Sequence, residues 1–298
     1  MKKLMKYVLG VLSLLFLVAI PAFSQKIGNE FFVLHNAIRG DSVYKTFDQQ
    51  VALIKSLGYD GVEINQLESF AGMKAALDQH QFKGSYLYFK INVDQPQLDE
   101  RLEGIIAQLK GSGTLLAPYM VSDSKQFKPS SHEADAHLTV LIQQLGKWAQ
   151  KSNLKVALYT HYGFYVETID HALSLVKAAD MKNVGLSFNL CHWLATTSLS
   201  ERTNWKNDLK ILNPYLKMVT ISGANQVDSQ AKTPWDDYIL PLGTGTYDTY
   251  GLVRYLVKDL KYKGPIGVQC YNIKADKPEL LRTTMQVWQG YKSKLESK

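Results

Sequence analysis

Cysteine is nearly absent from this 298-residue chain, which has only Cys191 and Cys270, so at most one disulfide is available. No run of Lys or Arg stands out in the body of the sequence. The electrostatic footprint of a nucleic-acid-binding protein is therefore missing. No Gly-rich phosphate fingerprint follows the first strand-like segment, which argues against a dinucleotide-binding doubly wound sheet. No apolar run reaches the roughly 20 residues that span a bilayer. The longest, YVLGVLSLLFLVAI, has 14. No linker, low-complexity tract or charge block divides the chain.

That apolar run lies between the basic MKKLMK and the small residues Ala22 and Ser24. The pattern predicts a secretory signal peptide over residues 1–24, cleaved between Ser24 and Gln25. Gln25 is not a cysteine, which argues against a bacterial-type lipid anchor. Residues 25–298 remain, and loss of Lys2, Lys3 and Lys6 lowers the net charge from +7 to +4. The expected location is periplasmic or extracellular, with no membrane association after cleavage. At 46% hydrophobic and 20% charged, a chain of this length can bury a large core as one domain.

Strand-like and helix-like patterns then alternate. FFVLHN, YDGVEI, FKGSYLYFK, TLLAPYM, LKVALYTH, NVGLSFN, LKMVTIS and GPIGVQCY read as strands. Helices are expected near 43–57, 70–79, 97–110, 132–152, 168–179, 199–212, 250–260 and 278–293. Eight β-then-α units predict a (β/α)8 TIM barrel, a single domain over 25–298.

Period-two parity then sorts each strand into an outer and an inner face. Val184, Leu186 and Phe188 face helices, whereas Gly185, Ser187 and Asn189 face the barrel. By the same rule Glu63, Tyr159, His161, Thr220, Gly267 and Gln269 point inward. Lys90 shares a face with Tyr86 and Tyr88, and His35 ends the first strand. The polar members fall at the C-terminal ends of their strands, where barrels of this kind place their sites. Glu63, His161 and His192 are therefore the candidate proton carriers. Lys90, Tyr159, Asn189, Trp193, Thr220 and Gln269 are candidate substrate contacts, with Trp193, Tyr88 and Phe164 available to stack on a sugar ring. Parity also puts Cys270 outward and Cys191 in the loop after the sixth strand, with the seventh strand between them. Their backbones are then about 10 Å apart, too far for a disulfide.

Several stretches, SLGYDGVEI (56–64), the fifth strand ending in His161, FNLCHW (188–193), LPLGTGTYD (240–248) and PIGVQCY (265–271), occur in an order that resembles the xylose-isomerase-like sugar-phosphate isomerase/epimerase superfamily. The resemblance implies a TIM barrel and a divalent metal held by Glu, Asp, His and Glu at the ends of strands five to eight. Carried over, those positions are Tyr159, Asn189, Thr220 and Gln269. Hard cations take anionic oxygen donors, and this set supplies none while the tyrosine is protonated. No metal ligand is assigned, and the sequence leaves the cofactor unknown.

The implied activity is isomerisation, epimerisation or elimination on a small carbohydrate, by removal of a proton next to a carbonyl. Export favours a free, oxidised or glycosidic sugar over a sugar phosphate. The alternative is a catalytically silent carbohydrate-binding barrel that has lost the family metal site. The superfamily's abasic-site endonuclease branch needs a metal cluster and DNA, so no nucleic-acid partner is expected. The sequence assigns no oligomeric state.

Overall fold

Short apolar runs become eight parallel strands that close on themselves in sequence order. The computed structural model describes residues 26–297; the signal-peptide expectation lies outside them. In chain order the elements are β1 (Phe31–Val33), α1 (Phe47–Ser56), β2 (Gly61–Asn65), α2 (Phe70–Gln79), β3 (Gly84–Asn92) and α3 (Leu102–Gln108). Next come β4 (Leu115–Val121), α4 (Asp135–Lys151), β5 (Lys155–Leu158), α5 (Ile169–Ala179), β6 (Val184–Asn189) and α6 (Leu190–Thr196). The last third holds α7 (Trp205–Leu212), β7 (Leu216–Ile221), α8 (Trp235–Tyr238), α9 (Thr249–Arg254), β8 (Ile266–Val268) and α10 (Lys277–Glu296). β1 pairs with β8 through Phe31–Ile266 and Val33–Val268, which closes the ring.

The inner and outer faces follow parity. Val62, Ile64, Val156, Leu158, Val184, Leu186, Phe188, Val219, Ile221, Ile266 and Val268 pack in one large core with helix residues. Phe32, Leu34, Tyr86, Leu115, Ala117, Ala157, Tyr159 and Met218 form a second, separate cluster that fills the barrel. Phe32 needs the space that Gly267 leaves: a Cβ there would lie 2.2 Å from the phenyl ring. Burying such a ring stabilises the fold by about 1.5–3 kcal/mol.

Local capping decides where the helices begin. α1 starts at Phe47, four residues after the point suggested by apolar spacing. The Thr46 hydroxyl accepts from Gln49 N–H, and the Gln49 side chain accepts from Thr46 N–H in return. The expected helix at 97–110 shortens to Leu102–Gln108. The one at 199–212 begins as a 3₁₀ turn, Glu201–Asn204, and that at 250–260 ends in a single π turn, Tyr255–Asp259. Two helices were not expected, α6 and α8. Cys191 therefore lies in a helix and not in a loop. Both cysteines are free and buried, and burial pushes each thiol up to about 12.

Candidate active site

The C-terminal ends of the strands enclose a cavity of about 380 Å³. Glu63, Tyr159, His161, His192 and Gln269 line it, with Tyr88 and Phe164. Glu63 leaves the middle of β2 and is 2% exposed. One carboxyl oxygen accepts from the Tyr86 hydroxyl and the other from His35 N–H, each at 2.8 Å. Burial outweighs these hydrogen bonds and lifts its pKa above the usual carboxylate range.

β2 and β6 are diametrically placed in an eight-stranded ring, so the wall facing Glu63 is built by β5, β6 and the segments after them. There His161 and His192 lie with ring centroids 4.1 Å apart. His161 Nδ1 is 2.9 Å from the Tyr162 carbonyl oxygen, so it carries the proton and Nε2 keeps a lone pair. His192 Nδ1 is 3.3 Å from Tyr162 N–H and accepts from it, so its proton sits on Nε2. Burial lowers His161 to about 4, against the opposing pull of the Tyr162 carbonyl. Burial, helped by repulsion from His161, lowers His192 as well. At neutral pH the pair thus presents one base nitrogen and one N–H donor. Phe164 stacks on His161 at 3.8 Å, and Trp235 stands edge-on to His192 at 5.1 Å.

Depressed histidine pKa values have a consequence for stability. The folded state binds fewer protons than the unfolded chain between about 6.5, the unfolded value, and the lowered values. Stability should therefore fall as pH drops from about 6.5 toward 4, by up to about 1.4 kcal/mol per pH unit for each histidine. Urea unfolding across this window should give a clearly shallower slope for the double variant His161→Gln/His192→Gln. Equal slopes in parent and variant would show that the rings titrate normally.

The family metal does not fit this donor set. Thr220 Oγ1 donates to Asn189 Oδ1 at 3.0 Å. Asn189 Nδ2 donates to the Thr160 carbonyl at 3.1 Å and to Ser187 Oγ at 2.9 Å. Gln269 Oε1 accepts from Asn36 Nδ2 and from Tyr271 N–H. Asn189 and Thr220 thus satisfy each other, Gln269 is held by Asn36 and Tyr271, and none of the four positions is a carboxylate or an imidazole.

Other expected contacts are placed elsewhere. Asn189 and Thr220 are sealed beneath the cavity floor, at 0% and 1% exposure. Trp193 belongs to the outer core, 5.8 Å from Phe188. It follows His192 on α6, and neighbours on a helix point about 100° apart, so one ring faces the mouth and the other faces away. Lys90 does not enter the cavity. β3 runs past the rim, Tyr88 being level with Asn65 at the end of β2, and Lys90 pairs with Asp123 at 2.8 Å in the open. His35 is buried against Gln50 at 2.7 Å and also lies outside the cavity.

The cavity is completed by residues beyond those picked out from the sequence, some on strands and others on connections that have no period to follow. Asn36 and Arg39 come from the loop after β1, Asn65 and Gln66 from the end of β2, Tyr119 from β4, Trp235 and Ile239 from the β7–α9 connection, and Tyr271 from the loop after β8. Tyr88 and Tyr119 stack at 4.4 Å, which makes a flat aromatic wall. A larger hollow of about 600 Å³ lies where the chain enters the strands. Lys83, Lys155, Lys217, Lys261 and Lys263 line it, but no imidazole does, so it lacks the proton carriers of the mouth.

Solved structures with the same architecture include 3-keto-D-glucoside 4-epimerase from E. coli, at TM-score 0.64 and 16% identity over 87% of this chain and 98% of that one. D-allulose 3-epimerase from Methylomonas sp., solved with D-allulose, aligns at TM-score 0.65 and 16% identity over 90% and 100%. The IolI protein, solved with a zinc atom, aligns at 0.64 and 15% over 90% and 98%. At these identities the likeness is one of fold. No curated protein matches the chain by sequence. The sequence model of the xylose isomerase-like TIM barrel family matches residues 51–291, most of the chain. With the closed eight-stranded barrel, that match assigns the chain to the xylose isomerase-like TIM barrel family.

Proposed function

We propose that this protein is a metal-independent isomerase or epimerase of an unphosphorylated sugar. The observation that carries the reading is the placement of proton carriers on opposed walls, Glu63 on β2 and the His161–His192 pair beyond β5 and β6. A ring held between them has one face toward each. The Glu63 carboxylate, made more basic by burial, takes the proton from a carbon next to a carbonyl. The electron pair moves into the carbonyl and gives an enediolate. The His192 N–H and the amides of Asn36 and Gln269 stabilise the oxygen that gains charge. Return of the Glu63 proton to the former carbonyl carbon, while the hydroxyl proton passes to the other oxygen, yields the isomer. For the epimer, a proton taken up from solvent by His161 Nε2 goes to the opposite face of the same carbon, and Glu63 releases its own proton to solvent.

The walls support a sugar ligand. Tyr88, Tyr119, Phe164, Trp235 and Tyr271 offer apolar faces, and the polar lining consists mainly of neutral amides and imidazoles. Arg39 is the single cation among the described lining residues, and it donates to Asn65 at 3.0 Å. One such cation is a poor phosphate cradle. Export, as read from residues 1–24, would place the protein where free sugars occur. The structural neighbours that are named as epimerases of keto- and ketose sugars lend the same class of reaction.

The test is isotope exchange. Ketoses, aldoses and keto-glycosides incubated with the protein in D2O should include one that takes up deuterium next to its carbonyl, as read by NMR. A sugar that raises the melting temperature but exchanges with no member of the panel would favour the second reading, a silent carbohydrate-binding barrel. That reading draws on the carried-over metal positions, three of which, Asn189, Thr220 and Gln269, are tied into hydrogen bonds.

A further inference from the structure

A second cluster of ligating side chains sits apart from the mouth. Asp135 opens α4, and His132 lies three residues before it. His171 is in the first turn of α5, whose Thr168 cap accepts from His171 N–H. His132 Nδ1 is 2.7 Å from one Asp135 oxygen, and His171 Nε2 is 2.8 Å from the other. The two imidazole rings meet edge-on, with centroids 4.5 Å apart. One ligand atom from each of the three residues lies within 4.8 Å of the others, and none of the three lines the mouth cavity.

A plain hydrogen-bond knot between α4 and α5 would need only His171 and Asp135. His132 adds a second imidazole to the same carboxylate from an exposed position, where such a contact contributes little stability. His171 is 3% exposed, and its other nitrogen, Nδ1, is buried without a partner. Among the described residues, the polar engagement of that ring is with this cluster alone. Two imidazoles and a carboxylate, one of them open to solvent, are the donor set of a three-ligand zinc centre with water in the fourth place. Ligand atoms around a tetrahedral zinc are about 3.4 Å apart, given bonds near 2.1 Å. The two spacings to the carboxylate, 2.7 and 2.8 Å to its two oxygens, need to open by about 0.6–0.7 Å, and the exposed His132 is the ligand that can shift.

We propose that His132, Asp135 and His171 form a divalent transition-metal site of the kind zinc fills, distinct from the position at which the family's metal is expected. Its place in the fold gives it a bracing role. Tyr165 donates its hydroxyl to Asp135 at 2.8 Å and accepts from Ala134 N–H at 3.0 Å. Tyr165 belongs to the segment between β5 and α5, which also carries His161 and Phe164. With one Asp135 oxygen on the ion and the other held by Tyr165, the ion clamps that segment to α4.

Calorimetric titration of the chelator-stripped mature protein with Zn²⁺ tests this. One ion per chain is expected. His132→Ala should melt with the parent when metal-free, because the side chain is exposed, and should bind zinc more than tenfold more weakly. Loss of even an outer partner of a metal ligand costs about 10–100-fold. His161→Ala and His192→Ala should bind zinc as the parent does. Absence of binding by the parent, undiminished binding by His132→Ala, or loss of binding in His161→Ala would each overturn the site.

Discussion

Replacing Glu63 by glutamine should lower turnover by about 10²–10⁴-fold, the usual worth of a positioned general base, and leave the fold intact. Glutamine has nearly the shape of the acid. Its carbonyl can accept from His35 N–H, and its amide can donate to the Tyr86 oxygen, because a hydroxyl both gives and takes hydrogen bonds. What disappears is the charge. A carboxyl whose pKa is lifted on folding binds its proton more tightly in the folded chain than in the unfolded one. Stability then declines as pH rises from the ordinary range near 4.3 toward the lifted value. Glutamine cannot ionise and escapes that decline. The variant should therefore be at least as stable as the parent at pH 7, with an advantage that grows from pH 5 upward. Paired measurements of deuterium uptake and urea unfolding separate the two effects. Unchanged uptake would remove Glu63 from the chemistry, and a large stability loss at every pH would make it a scaffold residue.

Arg202→Ala should destabilise the protein by about 3–5 kcal/mol, the range for stranding the partners of a buried charged group. Arg202 is 2% exposed. Its Nε donates to the Thr197 carbonyl at 2.9 Å, Nη1 to that of Val227 at 2.6 Å, and Nη2 to that of Leu194 at 2.7 Å and to the Tyr238 hydroxyl at 2.9 Å. The guanidinium also lies 5.2 Å from the centre of the Tyr238 ring. Alanine would leave these acceptors facing a void. Lysine should not rescue, because one ammonium cannot reach three carbonyls set around a planar fork. The effect should extend to ligands, since Arg202 fastens the end of α6 to α8, where Trp235 closes the cavity. Denaturant unfolding gives the stability term and sugar titration the second. A loss under about 1 kcal/mol would mean that water replaces the guanidinium at little cost.

Much of the barrel could be read from the residues because strand parity is a strict geometric rule. Val62, Glu63 and Ile64 alternate in the sequence, and they alternate between outer core, mouth and outer core in the fold. Parity gives the face but not the height. Asn189 and Lys90 both have inward parity, yet one lies below the floor and the other above the rim. Height depends on strand length and on the stagger of neighbours, such as the register shifts between β2 and β3 and between β6 and β7. His192 and Trp193 are both site candidates in the sequence, but on α6 adjacency separates side chains. Asn36, Arg39 and Trp235 lie on connections with no period to follow, and Arg202 looks like any charged residue on a helix surface until its carbonyl partners surround it.

The knot of Thr220, Asn189 and Ser187 also bears on how this site can change. A single step to a carboxylate at Asn189 would delete the two donations made by its amide and bury an acid with no cation beside it. That step is costly before any benefit arrives, because one carboxylate alone does not hold an ion tightly. Natural chains sit close to the stability they need, so such an intermediate falls on the wrong side of selection. The amide network therefore acts as a ratchet: groups that satisfy one another in pairs do not give way, one residue at a time, to a set of anionic metal ligands.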